Sequence, residues 1–128
     1  MLVIRNHFAR IAAIVSLALA SGCAVHHPEP EVAIVDIALE VENRNWSDVV
    51  LYVVHDGTTT RFMSVTAAKT ETVTIGRRFI GASGVVRFIA HRVGGDDDYY
   101  SPSVSVRTGS TIALTLQPEL NMSSIGVW

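Results

Sequence analysis

Alternation of apolar and polar side chains narrows the folds open to this chain more than anything else in it. Ala33, Val35, Ile37, Leu39 and Val41 alternate with mostly polar neighbours. That period of two puts one face of a β-strand in a core and the other in water. The pattern returns at Val73 and Ile75, and again at Ile112, Leu114 and Leu116. Turn-forming clusters separate such runs: residues 43–48 (NRNWSD), 66–69, 76–84, 94–98 (GGDDD) and 107–110 (RTGS). Asp56-Gly57 is a strong hairpin signal. The runs so bounded are 33–41, 49–55, 59–65, 70–75, 85–93, 99–106, 111–117 and 123–128, and no helical pattern follows residue 22. Strands at spacings of roughly 8–12 residues predict an all-β domain, a single antiparallel sandwich of about eight strands. Residues 49–55 are apolar on both faces, so that strand is expected at the centre of a sheet.

The first 22 residues follow another rule. Arg5 and Arg10 precede an unbroken apolar run from Ile11 to Ala20, with no acid before it. A charged segment followed by a short apolar one is the form of an export signal helix. It is too short to span a bilayer, which takes about 20 apolar residues. The run closes on Leu19-Ala20-Ser21-Gly22-Cys23, which resembles the lipobox of bacterial lipoproteins; Ala20 stands where that family prefers Leu. The resemblance implies cleavage before Cys23 and acylation of its thiol and new amino group. Cys23 is the sole cysteine of the chain, so the domain behind it has no disulfide and rests on core packing. Ala24, rather than Asp, follows the anchor, and by the sorting rule of enteric lipoproteins this implies outer-membrane delivery in a diderm cell envelope. Residues 23–31, with Pro28 and Pro30, read as a short tether; eight residues from Ala24 to Glu31 reach at most roughly 25–30 Å. Residues 32–128 form the expected domain.

Charge excludes one class of partner. Removal of residues 1–22 leaves 8 basic residues against 12 acids, a net charge of −4, whereas nucleic-acid binding wants a basic surface. Residues 106–116 (VRTGSTIALTL) resemble the late hairpin of immunoglobulin-like and transthyretin-like accessory domains. The 32–128 region as a whole resembles small single-domain bacterial lipoproteins of unassigned function. Shared features are the Asn-x-Asn-Trp-Ser-Asp turn at 43–48 and the Gly94-Gly95 turn before Tyr100-Ser101. These motifs are structural, and the resemblance implies a β-sandwich without implying an activity.

Catalysis needs a nucleophile beside a base, a carboxylate pair or a metal cage. His26 and His27 lie on the tether, His55 closes a strand beside the Asp56-Gly57 turn, and His91 faces away from Phe88 and Ala90. No Gly-x-Ser-x-Gly elbow accompanies them. The expectation is a non-catalytic module with no cofactor beyond the covalent lipid at Cys23. Trp46, Tyr99 and Tyr100, in or beside turns, are the candidate interaction surface for an envelope protein. The alternative is a ligand-binding module for Ca²⁺ or envelope polysaccharide at the 94–100 turn, with Asp96, Asp97 and Asp98 as weak metal candidates.

Strand parity adds an orientation. If each strand crosses the full height of the sandwich, successive turns alternate ends. Turns 43–48, 66–69, 94–98 and 117–122 then gather far from the tether. Turns 55–58, 76–84 and 107–110 gather beside it with the C-terminus, which makes Arg77, Arg78, Phe79, Arg107 and Trp128 the candidate membrane-proximal residues.

Overall fold

A computed structural model describes residues 36–128. The signal segment, Cys23, the 23–31 tether and the expected opening of the first strand at Ala33 lie outside the described residues. Nine strands follow in order: β1 (Ile37–Asn43), β2 (Val49–His55), β3 (Thr58–Val65), β4 (Thr70–Ile75), β5 (Val85–Arg92), β6 (Asp98–Tyr100), β7 (Val104–Ser105), β8 (Thr111–Leu116) and β9 (Ser124–Val127). Two 3-10 turns, Arg77–Phe79 and Leu120–Met122, are the helical elements among the described residues, and no described helix is long and apolar enough to cross a membrane.

The strands form two sheets, one in the order β4-β1-β8-β9 and one in the order β3-β2-β5-β6, with β7 also on β5. Their inward faces share one core. Ile37, Leu39, Val41, Ile112, Leu114 and Leu116 come from the first sheet, and Val49, Leu51, Val53, Phe88 and Ala90 from the second. Each is the inward member of an alternating pair, which is why the period of two located the core from sequence. β2, apolar on both sides, lies between β3 and β5. The hairpin at Asp56-Gly57 has both central residues at positive φ, 47° and 77°. That is the turn whose twist matches the flanking strands, and glycine takes its second position without strain.

Two expectations need correction. The strand expected over 99–106 is two strands, because Ser101-Pro102-Ser103 breaks the ladder. Proline has no N–H to offer, and between the Ile89↔Tyr100 and Val86↔Val104 pairs the chain gains one residue on β5. Ser101 bridges the gap with its side chain. Its N–H donates to the Phe88 carbonyl at 2.9 Å, and its Oγ accepts the Phe88 N–H at 2.8 Å. The second correction concerns direction: the sandwich is not wholly antiparallel, since β1 and β8 pair in parallel. If β6 and β7 count as one passage, β8 is the seventh and runs the same way as the first. Setting those two side by side makes a parallel pair unavoidable.

Candidate functional site

The loops gather at two ends. At one, the 43–48 turn is tied to its neighbours by two asparagines that are only 1% exposed. Asn43 Nδ2 donates to the carbonyls of Ser47, Val65 and Thr66 at 3.0, 3.1 and 3.1 Å. Its Oδ1 accepts the Asn45 N–H at 2.9 Å. Asn45 Nδ2 reaches the carbonyls of Gln117 and Pro118 at 3.3 and 2.8 Å, and its Oδ1 accepts the Ser47 N–H. Asp48 accepts the Ala67 N–H through its side chain and the Val93 N–H through its carbonyl, both at 2.9 Å. Four loops are thereby knotted together. An Asn side chain mimics a backbone amide and so closes turns that have no ladder of their own.

Trp46 sits on this knot with 85% of its surface exposed, and Val93 and Met122, on two of the tied loops, are 51% and 66% exposed. Tyr100 is also exposed, on the edge strand β6. Tyr99 is not: it is buried in the core, because β6 alternates and Tyr99 is its inward residue. Burial raises its phenol pKa. The candidate surface therefore loses Tyr99 and keeps Trp46 and Tyr100. Val93 and Met122 were not found from sequence, since one apolar residue in a loop carries no periodic signal.

The acidic turn does not converge on a point. Asp97 pairs with Arg92 at 2.6 Å. Asp98 pairs with His91 and accepts the Tyr100 hydroxyl at 3.3 Å, while Asp96 faces solvent. Among the described residues no three His, Cys, Asp or Glu side chains are grouped to hold a metal ion.

The opposite end is where β1 begins, and it carries the other set of loops. Arg78 lies over the Phe79 ring at 4.7 Å. Phe79 meets Phe62 edge to face, with centroids 4.9 Å apart. Phe79 is thus half-buried packing against the core, with Arg78 covering its outer face. Arg77, Arg78 and Arg107 are exposed, and Trp128 is 69% exposed, its backbone paired with Thr111. The charges sort by end. Arg77, Arg78, Arg87 and Arg107 stand here against Asp36 and Asp56. Around the Trp46 end stand Glu42, Asp48, Glu71, Asp96, Asp97, Asp98 and Glu119, against Arg44, Lys69 and Arg92. One of these pairs is local: the hydrogen bond from Arg44 holds the Glu42 carboxyl below its usual pKa.

This end also holds a cleft of about 300 Å³, lined among others by Val54, His55, Asp56, Ser83, Arg87 and Ser103. The Ser83 hydroxyl donates to Asp56 Oδ1 at 3.0 Å, and Asp56 Oδ2 accepts the Ala82 N–H at 3.2 Å. His55 Nδ1 lies 3.8 Å from Asp56 Oδ2. A serine, an aspartate and a histidine therefore meet, but the carboxylate stands between the other two. Serine nucleophiles are activated with the imidazole in the middle place. The close approach of the 81–84 loop depends on Gly81, where a Cβ would stand 1.8 Å from Asp56 Oδ2. Sequence alone did not join Asp56 to Ser83, because they are 27 residues apart.

No protein-family model and no curated protein matches the chain. A solved structure described as the "NMR structure of the protein from Eubacterium rectale" is similar to it with a TM-score of 0.46 and 8% identity, over 72% of this chain and 87% of that one.

Proposed function

We propose that this protein is a bacterial envelope lipoprotein, held at Cys23, whose β-sandwich is a non-catalytic module that engages another envelope protein through its Trp46 end. The observation that carries this reading is Trp46 itself. A large aromatic side chain, 85% exposed, is held on a knot of buried asparagine hydrogen bonds at the end opposite the start of β1. Aromatic side chains with little conformational freedom supply much of the energy of protein interfaces. The Ser83–Asp56–His55 order supports the non-catalytic part, since no base other than a carboxylate touches the hydroxyl. The 4–2 split of cations and carboxylates at the β1-start end supports an orientation with that end toward an anionic bilayer.

The strand order supports a transthyretin-like rather than an immunoglobulin-like sandwich. With β6 and β7 counted as one passage, the two sheets run 4-1-7-8 and 3-2-5-6, and the first and seventh strands pair in parallel. In an immunoglobulin-like sandwich the strand beside B, in the sheet that B shares with E, is the earlier strand A, whereas here β1 has the late strand β8 beside it. The calcium reading gains nothing from the 94–98 turn, where Asp97 and Asp98 already have Arg92 and His91 as partners.

A photo-reactive amino acid in place of Trp46, and separately in place of Glu40 on the outer face of β1, tests the proposal in the intact envelope. Crosslinking to one protein from position 46 and none from position 40 is the expected outcome. Equal labelling from both, or none from either, would defeat it.

A further inference from the structure

The strand register makes the outer face of the β3-β2-β5-β6 sheet an aromatic and apolar platform. Its central row runs Arg61, Tyr52, Ile89 and Tyr100 across the four strands. Val54 and Arg87 pair on one side of that row, and Val50 and His91 on the other. The strands of the opposite sheet turn threonines, alanines, Glu40 and Glu42 outward instead. Tyr100 is 65% exposed, and its hydroxyl donates to Asp98 at 3.3 Å, which draws the ring along β6. Tyr52 is half-buried on β2. Two strand spacings separate the tyrosines, roughly 10 Å. The face is also cationic, on a chain that is acidic overall. Arg61 has one contact, the Ser64 hydroxyl at 3.4 Å, and Arg87 has no ion-pair or hydrogen-bond partner among the described residues. Asp98, the carboxylate at its rim, is taken by His91 and Tyr100. Beyond Arg87 the face runs into the cleft of about 300 Å³ that Val54, Val85 and Ser103 help to line.

We propose that this face binds an acidic polysaccharide, a chain of pyranose rings that carry carboxylates. A pyranose ring offers C–H groups on its faces and hydroxyls at its rim, so it packs on an aromatic ring while its polar groups reach past it. The separation of Tyr52 and Tyr100 is on the scale of one disaccharide step in an extended chain. Arg61 and Arg87 stand within one residue pair of the tyrosines, and a guanidinium is the planar fork that matches a carboxylate. The size of the patch favours a chain over a protein. It covers four strands and five residues of β2, about 14 Å each way, whereas a stable protein interface takes about 800 Å² from each partner. The face lies on the flank of the sandwich, so it and the Trp46 end can be occupied together. That the glycan belongs to the envelope rests on the lipoprotein reading; the recognition of an acidic glycan does not.

The 24–128 chain, without its signal segment, is the protein to use, since all core residues lie between Ile37 and Leu120 and the domain carries its whole core. It is titrated with three probes: β-linked hexamannuronate, cellohexaose, which has the rings without the charge, and polyglutamate, which has the charge without the rings. Binding is read by calorimetry and by NMR shifts of the backbone amides. The expected result is binding of hexamannuronate, with shifts gathered at Tyr52, Ile89 and Tyr100. Cellohexaose should shift the same amides and bind about tenfold more weakly, as loss of charge-assisted hydrogen bonds does, and polyglutamate should shift none of them. Tyr100→Ala, at an exposed position, should weaken hexamannuronate by about tenfold or more. Arg87→Gln should weaken hexamannuronate and leave cellohexaose unchanged. Arg107→Gln and Trp46→Ala, both off the face, should alter neither. Polyglutamate acting at the same amides as strongly as hexamannuronate would assign the face to an acidic protein and reject the glycan. Equal losses for Arg87→Gln and Arg107→Gln would mean diffuse attraction, and silence at Tyr52 and Tyr100 with both saccharides would overturn the site. Crosslinking from position 46 reports on the protein partner whatever this face binds.

Discussion

Asn43 and Trp46 are three residues apart and play opposite parts. Asn43 is buried and donates to the carbonyls of three residues on two loops while accepting the Asn45 N–H, so Asn43→Ala removes all four bonds, and of the three carbonyls Thr66 keeps the Lys69 N–H. The expected loss is about 2–4 kcal/mol, since each unpaired buried polar group costs roughly 1–3 kcal/mol. Trp46→Ala, at an exposed position, should stay within about 0.5 kcal/mol of the parent. Urea unfolding of the 24–128 chain measures both. A large loss for Trp46→Ala would place the ring in the knot, not on it. Tyr99 gives a pH dependence. Its folded-state pKa is raised by burial, so the neutral phenol favours the folded state. That contribution is fully present below the unfolded value of about 10 and is lost as pH rises through the folded value. Tyr99→Phe cannot ionise, so it should lose less stability than the parent between neutral pH and pH 11. Identical alkaline profiles for the two proteins would contradict the burial of Tyr99.

At the scale of elements, the two sheets are unequal on their outer faces. Outward from β4, β1, β8 and β9 stand Thr70, Thr72, Thr74, Ala38, Glu40, Glu42, Thr111, Ala113, Thr115 and Ser124. Outward from the other sheet stand Tyr52, Val54, Ile89 and Tyr100, with Arg61, Arg87 and His91 among them. β1 and β8 make the middle of the polar-faced sheet, and their inward residues are fully buried. Leu114→Ala on β8 should therefore cost about 2–5 kcal/mol through lost transfer energy and the cavity left behind. Thr115→Ala beside it, half-exposed on the outer face, should cost far less. Thermal unfolding of the two variants side by side checks this, and similar losses for both would mean that β8 is turned over. The broken β6–β7 edge was hidden in sequence, because Tyr99, Ser101 and Ser103 keep a period of two while Pro102 interrupts pairing.

The whole molecule has a direction, with basic loops where β1 begins and acidic loops with Trp46 at the other end. If it is anchored at Cys23, Cys23→Ser should leave the signal segment uncleaved and the protein without acyl mass in mass spectrometry. Fatty-acid label still found on Cys23→Ser would end the lipoprotein reading. In vesicles carrying the acylated protein, depth-dependent quenchers should reach Trp128 and spare Trp46. Quenching of Trp46 would mean that the domain lies on its side, and the proposed partner surface would have to be abandoned.

Outside the broken 99–106 run, the strands and the faces they bury were legible in the sequence, because alternation is a local property: each side chain's face follows from its neighbours two residues away. The Asp56-Gly57 hairpin was legible for the same reason, since two adjacent residues at positive φ make that turn. The gathering of the loops at two ends followed from strand parity, which needs only a count. Which strands lie side by side was not legible. The parallel β1–β8 pair joins residues 73 positions apart, such as Ala38 and Thr111, and no local pattern records such a pairing. The exclusion of Tyr99 from the surface was decided by the register of β6 on β5, which turned one of two adjacent tyrosines inward. The cleft belongs wholly to tertiary structure. Val54, Asp56, Ser83, Arg87 and Ser103 sit on separate loops and strands, each unremarkable alone, and only the packing of those elements brings them around one cleft.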